Sequence, residues 1–157
     1  MNDYQITPCF WFDHQAEEAA LFYTSIFKNS KIGSISRYGK EGYEIHRQKE
    51  GTVLTVDFQI NGQKFTALNG GPLFKFNESI SFQVFCDTQE EIDYYWNTLT
   101  EEGEESQCGW LKDKFGVSWQ ILPAILPKLM RDPAKAERVT NAFLQMKKFD
   151  IEKLINA

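Results

Sequence analysis

The stretch that decides the fold is Cys108-Gly-Trp-Leu-Lys-Asp-Lys-Phe-Gly-Val-Ser-Trp-Gln120. Two strand-like runs, 107–112 and 117–122, flank the turn residues Asp113-Lys-Phe-Gly116, and this order predicts a β-hairpin. Side chains alternate between the faces of a strand, so Ser118 and Gln120 are expected on one face and Trp119 on the other. The hairpin therefore ends in a strand that presents Gln120.

A weak internal repeat relates this part of the chain to its beginning. Asp13-His-Gln-Ala-Glu17-Glu18 is echoed by Asp87-Thr-Gln-Glu90-Glu91, with one residue inserted in the first copy. Each copy follows an apolar strand and opens a run with the apolar spacing of a helix. In the second copy, Thr88 and Glu91 have the spacing of a capping box.

Strand patterns fill the remainder of the first half. Residues 31–38 and 52–60 are predicted strands, and Asn61-Gly62 predicts a tight turn into an antiparallel strand over 63–69. The segment 39–51 lacks periodicity and predicts a connecting loop. The predicted order is β-α-β-β-β, a Gly-Gly-Pro linker at 70–72, then β-α-β-β and a helical tail.

We expect a single α+β domain built from paired βαβββ modules. The first module spans about residues 1–70, the second about 79–123, and the helical tail 124–157. A half with one helix covers one face of its sheet, so the inner faces of the two halves are expected to enclose a cavity. By alternation and by the repeat, the side chains facing it are Thr7, Cys9, Trp11, Ser81, Gln83, Phe85, Ser118 and Gln120.

The tail carries its own helix signal. Asp132 is a predicted N-cap and Pro133 a first helical residue, followed by an apolar stripe of Ala136, Val139, Phe143 and Met146. Such a stripe must pack on another surface. A symmetric homodimer would cover it together with the open face of a module.

Composition restricts the class of function. The 157 residues carry a net charge of −5 with scattered Lys and Arg, which disfavours nucleic acid and anionic membrane as partners. The 13 Phe among 15% aromatic residues indicate a dense core or an aromatic cavity. Three widely spaced cysteines, no basic leader segment and no run of eighteen apolar residues predict reduced thiols in a cytoplasmic protein.

Several motifs together resemble one known family over nearly the full chain. They are Ala16-Glu-Glu-Ala-x-x-Phe22-Tyr23, Asn61-Gly-Gln-x-Phe65, Asn69-Gly-Gly71, Ser79-x-Ser-Phe82, Glu91-Ile-Asp93 with Trp96, and Cys108-Gly-Trp-Leu-Lys-Asp113 with Gly116-Val-Ser-Trp-Gln120. The chain resembles the PhnB-like branch of the vicinal oxygen chelate superfamily, which includes glyoxalase I and bleomycin-resistance proteins. The resemblance implies paired βαβββ modules, usually in a homodimer.

The resemblance also bears on metal binding. Superfamily enzymes hold a divalent metal with four inward residues, usually His, Glu or Gln, and many carry Gly-x-x-x-Glu where this chain has Gly-x-x-x-Gln120. The corresponding positions here are Thr7, Ala67 or Asn69, Ser81 and Gln120. Hydroxyl and amide groups are weak ligands for transition metals, so no metal or other cofactor is expected to bind tightly.

The candidate ligand-binding residues are Cys9, Trp11, Asn69, Ser81, Gln83, Trp110, Asp113 and Gln120. Uncharged hydrogen-bonding groups in an aromatic cavity suit a small polar-aromatic ligand. Structural alternatives stand beside this hypothesis. Tryptophans on strands are more often core, Asp113 has the position of an Asx turn, and the polar groups could simply satisfy one another. Cys108 would be a nucleophile only if a cation such as Lys112 lowered its pKa.

Two function classes follow. The first is a non-catalytic protein of the bleomycin-resistance type that binds a small molecule. The second is an enzyme of the superfamily, or one with the 3-demethylubiquinone-9 3-methyltransferase activity often assigned to this branch. The chain has no Gly-x-Gly-x-x-Gly after a strand to hold a nucleoside cofactor.

Overall fold

The structure is a computed structural model that describes residues 6–157. The chain divides into two compact units, residues 1–75 and 76–157, each described by itself below. Each unit contains one four-stranded sheet. No helix among the described residues is both long and apolar enough to cross a membrane.

The first unit follows the predicted order with one addition. Its sheet has the order β1-β4-β3-β2, with β1 parallel to β4 and the other pairs antiparallel. Residues 39–51, predicted as an irregular loop, include a one-turn helix that is too short to leave a periodic signal. The elements are β1 (Cys9–Phe12), α1 (Ala16–Ile26), β2 (Lys31–Arg37), α2 (Tyr43–His46), β3 (Val53–Ile60) and β4 (Gln63–Asn69).

An aromatic cluster joins α1 to this sheet. Phe58 and Phe65 lie on neighbouring strands with their rings stacked at 5.4 Å between centroids, and Phe10 packs edge-on against Phe58 at 6.2 Å. Tyr23 of α1 stacks on Phe58 at 6.2 Å. Each of these buried rings contributes roughly 1.5–3 kcal/mol through removal from water, which fixes the face of the sheet that the helix covers.

The second unit repeats the topology of the first. Its sheet has the order β5-β8-β7-β6, and β5 is parallel to β8 as β1 is to β4. The two-residue β6 was not predicted, because two residues carry no periodicity. The elements are β5 (Phe82–Cys86), α3 (Gln89–Thr100), β6 (Glu104–Glu105), β7 (Trp110–Lys112), β8 (Ser118–Pro123), α4 (Leu126–Leu129), α5 (Pro133–Phe143) and α6 (Ile151–Ile155).

The predicted caps of the two longer helices are present. Thr88 accepts a hydrogen bond from the backbone N–H of Glu91 at 3.2 Å, while the Glu91 carboxylate accepts from the N–H of Asp87 at 2.8 Å. The return bond therefore reaches one residue before the N-cap rather than the N-cap itself. Asp132 caps α5 by accepting from Ala134 N–H at 3.0 Å.

The tail docks on the second unit through backbone and side-chain bonds. Cys108 N–H donates to Met146 O at 2.8 Å, and Gly109 N–H donates to the next carbonyl, Lys147 O, at 2.7 Å. The Gln89 side chain donates to Phe149 O at 3.0 Å and accepts from Ile151 N–H at 2.9 Å. The tail is therefore part of the second unit's core.

The stripe on α5 packs within its own unit. Val139 is 1% exposed, and the Phe143 ring meets the buried Phe149 ring edge-on at 6.1 Å. We expect Phe143→Asp to lower the free energy of unfolding by about 2 kcal/mol, because it places a carboxylate against an apolar ring. Urea unfolding and sedimentation check this together. Dissociation of an assembly before any loss of stability would contradict the intramolecular packing.

Candidate functional site

The predicted glutamines lie side by side on the second sheet. In the strand register Gln83 is paired with Gln120, and Gln120 is paired with Trp110. We call these three residues the Gln120 row. The neighbouring row, Phe82 with Trp119 and Leu111, faces the opposite side. Trp119 is 2% exposed, so it faces the core as alternation predicted, and the Gln120 row lies on the face opposite α3, called the far face.

Hydrogen bonds hold the amides of this row. The Gln120 amide Nε2 donates to Ser81 Oγ at 2.8 Å, and Gln83 Nε2 donates to Gln120 Oε1 at 3.3 Å. The Trp110 side chain is half-buried beside them. Ser81, Gln83, Trp110 and Gln120, all predicted from sequence, are therefore brought together on one face with their amides in a fixed orientation.

A second polar row runs beside the first. Lys112 lies across from Ser118 in the register and two residues beyond Trp110 on the same strand, so both face the far side. Lys112 pairs with Glu78, which comes from the segment before β5. Their hydrogen bond raises the pKa of the Lys112 ammonium and lowers the pKa of the Glu78 carboxyl. Both groups are thus charged at neutral pH.

Ser118 differs from its polar neighbours. Its side chain is 1% exposed, and its Oγ has no hydrogen-bond partner among residues 6–157. An unpaired buried hydroxyl costs about 1–3 kcal/mol. The hydroxyl therefore has an unused hydrogen-bonding capacity next to Lys112.

Two predicted residues of the first unit lie on its β1 strand. Cys9 is exposed and Trp11 is half-buried, between the core residues Phe10 and Phe12 in the expected alternation. The Trp11 indole N–H donates to Gly71 O at 2.8 Å. Its ring lies against the linker so closely that a Cβ on Gly70 would be 2.3 Å away. Trp11 therefore anchors the linker.

Asn69 has a structural role in the first unit. It is 5% exposed, its Oδ1 accepts from the backbone N–H of Ala16 at 2.9 Å, and its Nδ2 donates to Val53 O at 3.0 Å. In this structure Asn69 bonds within the core of the first unit, and its role in ligand binding stays a prediction. The N-cap residue Gln15 makes no side-chain bond to α1, so the helix takes its cap from this distant amide.

Asp113 adopts the structural alternative considered for it. The side chain is 3% exposed; Oδ1 accepts from Phe115 N–H at 2.9 Å and Val117 N–H at 3.1 Å, and Oδ2 accepts from the Trp119 indole at 2.8 Å. The Asx turn is confirmed. Asp113 supports the hairpin from the core and does not present its carboxylate on the far face.

Cys86 lies in the core and Cys108 in the docking region of the tail. Burial raises the pKa of Cys86 to about 12. The Cys108 thiol donates to Phe143 O at 3.6 Å, within the docking region of the tail. Lys112 is occupied by Glu78, so the cation considered for Cys108 has another partner. Cys108 serves the docking of the tail.

The donor set does not suit a transition metal. Of the positions implied by the resemblance, Ala67 and Asn69 are buried on the helix side of the first sheet, leaving two hydroxyls and the Gln120 amide. No group of three or more His, Cys, Asp or Glu that could hold a metal occurs within residues 6–157. Because hydroxyls and amides are weak ligands, the residues do not fit a tightly bound transition metal, and its absence stays a prediction.

Three residues of this face were not predicted as site residues, although one of them, Ser118, was expected to face the cavity. Lys112 could have been included from the alternation that selects Trp110. Glu78 carries no such signal, because it lies in an aperiodic segment whose path depends on the tertiary structure.

Comparisons with known proteins agree with the fold. The chain matches the family described as 3-demethylubiquinone-9 3-methyltransferase over residues 4–122. It is 40% identical to a PhnB protein of Bacillus cereus, described as a putative 3-demethylubiquinone-9 3-methyltransferase, covering 77% of this chain and 100% of that one with a TM-score of 0.68. A comparison with curated proteins found no significant match.

More distant structures share the fold alone. PA1353 from Pseudomonas aeruginosa is 17% identical, with coverage of 77% of this chain and 98% of that one and a TM-score of 0.61. FosX from Listeria monocytogenes, a fosfomycin resistance protein whose structure was determined with Mn(II) and sulfate, is 15% identical over 83% of this chain and 98% of that one, with a TM-score of 0.53. The chain therefore belongs to the 3-demethylubiquinone-9 3-methyltransferase (PhnB-like) family.

Proposed function

We propose that this protein binds a small polar-aromatic molecule on the far face of its second sheet. The observation that carries the proposal is the Gln120 row, in which two oriented amides lie next to a half-buried indole. A flat ring can stack on Trp110 while its polar groups exchange hydrogen bonds with Gln83 and Gln120. This proposal needs no metal and no covalent step.

A neutral probe tests the proposal without involving charge. We expect 4-hydroxybenzamide to bind the wild-type protein in isothermal titration calorimetry, and Trp110→Ala or Gln120→Ala to weaken binding about five-fold, the size of one stacking contact or hydrogen bond. Gln63→Ala, at an exposed position in the first unit, is the matched control and should bind like wild type. Equal affinity in all four proteins would refute this site.

The proposal extends to the cellular location and the oligomeric state of the protein. We propose a cytoplasmic location, supported by the unpaired thiols Cys9, Cys86 and Cys108, and a homodimer, supported by the resemblance to the family. Val139 of the α5 stripe is buried within its own unit, so we propose that the dimer uses a surface other than this residue. A monomer in sedimentation at micromolar concentration would end the dimer proposal.

A second candidate function is the methyl transfer named in the family description. The match over residues 4–122 is the observation that favours it. Methyl transfer requires a bound methyl donor, so S-adenosylmethionine serves as the probe in the same calorimetric experiment. Binding that Gln120→Ala weakens would favour this candidate over simple sequestration.

A further inference from the structure

The segment 76–81 contacts the hairpin of the second sheet at several points. Glu78 pairs with Lys112 of β7, and Ser81 accepts from Gln120 of β8. At the start of the segment, the Phe76 side chain lies 3.9 Å from where a Cβ of Gly116 would be. We call this segment the strap.

The Glu78 carboxylate of the strap is held by a weak interaction. Its side chain is 59% exposed and that of Lys112 is 32% exposed. Ion pairs between exposed side chains contribute little to stability, because both groups are well solvated when they are apart. A second carboxylate in the same place could therefore displace Glu78 at little cost.

Two other groups on this face suit an aromatic acid: the Ser118 hydroxyl can bind its carboxylate, and the Trp110 indole can contact its ring. Ser118, directly across from Lys112, has a buried hydroxyl with no partner in the described chain. Its O–H can donate to a carboxylate oxygen and would then be satisfied. Trp110 lies two residues from Lys112 on the same strand, about 7 Å away along the strand, so one small molecule can contact both.

Building on the binding function proposed above, we propose that the ligand is a small aromatic acid. Its carboxylate takes the place of Glu78 on Lys112 and accepts the Ser118 hydroxyl, while its ring stacks on Trp110. In the absence of ligand, the Glu78 carboxylate thus occupies the position of the ligand's carboxylate. When the ligand binds, Glu78 moves away from Lys112.

Local charge does not oppose this exchange. Glu104 lies across from Lys112 on the other neighbouring strand, so an additional carboxylate would be repelled. The ligand, however, replaces the carboxylate of Glu78 and leaves the charge around Lys112 unchanged. A neutral ligand gains nothing from Lys112, because the ammonium then keeps its bond to Glu78.

Three probes separate the contributions of ring and acid. They are 4-hydroxybenzoate, its neutral isostere 4-hydroxybenzamide, and cyclohexanecarboxylate, which keeps the acid but lacks the ring. We expect Lys112→Met to weaken 4-hydroxybenzoate binding about two- to five-fold, since an ion pair at an exposed ammonium is lost. Glu78→Gln should tighten it about three-fold, because it removes the competing carboxylate.

Ligand affinity distinguishes a binding role of Ser118 from a purely structural one. Ser118→Ala should weaken 4-hydroxybenzoate about three- to five-fold, while thermal unfolding without ligand stays the same or shifts upward, since an unsatisfied hydroxyl is removed. The affinity of 4-hydroxybenzamide should change less than about two-fold in all three variants. Cyclohexanecarboxylate should bind more weakly than 4-hydroxybenzoate.

The exposed pair Lys40 and Glu50 of the first unit supplies matched controls. Lys40→Met and Glu50→Gln should leave every affinity unchanged. The aromatic-acid inference fails, with the binding site intact, if 4-hydroxybenzamide binds with Trp110 dependence but Glu78→Gln and Lys112→Met leave 4-hydroxybenzoate unaffected. If none of the probes binds at millimolar concentration, both the inference and the proposed function are overturned.

Discussion

Replacing Gly109 with alanine is expected to lower the free energy of unfolding by about 3–5 kcal/mol, through steric overlap and backbone strain together. A Cβ at this position would lie 2.6 Å from the Phe149 ring and 2.7 Å from Ile121 O. The backbone of Gly109 also has φ of +80°, a conformation that side chains disfavour. The ring cannot retreat easily, because Phe149 is 2% exposed.

Gly51 offers a control that isolates the backbone effect. It has φ of +85°, and no heavy atom lies within 4 Å of where its Cβ would be, so Gly51→Ala should cost only about 1–2 kcal/mol. Urea unfolding of both variants gives the comparison. Equal losses in the two would mean that the approach of the tail to Gly109 contributes nothing.

The Gly109 contact connects the family fold to the tail. The family match ends at residue 122, whereas Phe149 belongs to the segment beyond it. The tail carbonyls of Met146 and Lys147 accept from the backbone of Cys108 and Gly109. The conformation of the hairpin's first residues, with positive φ at both Cys108 and Gly109, is therefore suited to receiving the tail.

Alternation along strands accounts for the parts of the site that the sequence predicted. Ser118 and Gln120 were assigned to one face and Trp119 to the other, and the register and burial agree. The prediction succeeds because period two is a property of the strand itself and needs no tertiary information. The same holds for the Asn61-Gly62 turn, whose positive φ values of 47° and 80° only a few residues tolerate.

Polar residues that serve the core were harder to predict. Asn69 looks like a binding residue in the sequence, yet it caps a helix more than fifty positions earlier in the chain. Nothing local reveals this, because the missing cap at Gln15 and the donor at Ala16 become visible only in the fold. Glu78 shows the opposite case, because it was not predicted as a site residue and yet lies at the site. Its partner Lys112 becomes apparent only once the fold brings the strap next to β7.

The second large effect concerns the carboxylate inside the hairpin. Asp113→Ala is expected to lower the free energy of unfolding by about 3–4 kcal/mol. The change leaves the buried N–H groups of Val117 and of the Trp119 indole without acceptors, and each such donor costs about 1–3 kcal/mol. Thermal and urea unfolding measure the loss.

Asp113→Asn separates the turn from the indole contact. Its remaining oxygen can still accept from the N–H groups of Phe115 and Val117, while its amide nitrogen would face the Trp119 N–H, so a loss of about 1–2 kcal/mol is expected. In a Trp119→Phe background the opposing N–H is gone, and the Asp113→Asn cost should largely disappear. This double-mutant cycle isolates the pair. An equal loss of unfolding free energy from Asp113→Asn in both backgrounds would mean that the indole bond does not stabilise the hairpin. The turn alone would then position Trp110 and Gln120 on the far face.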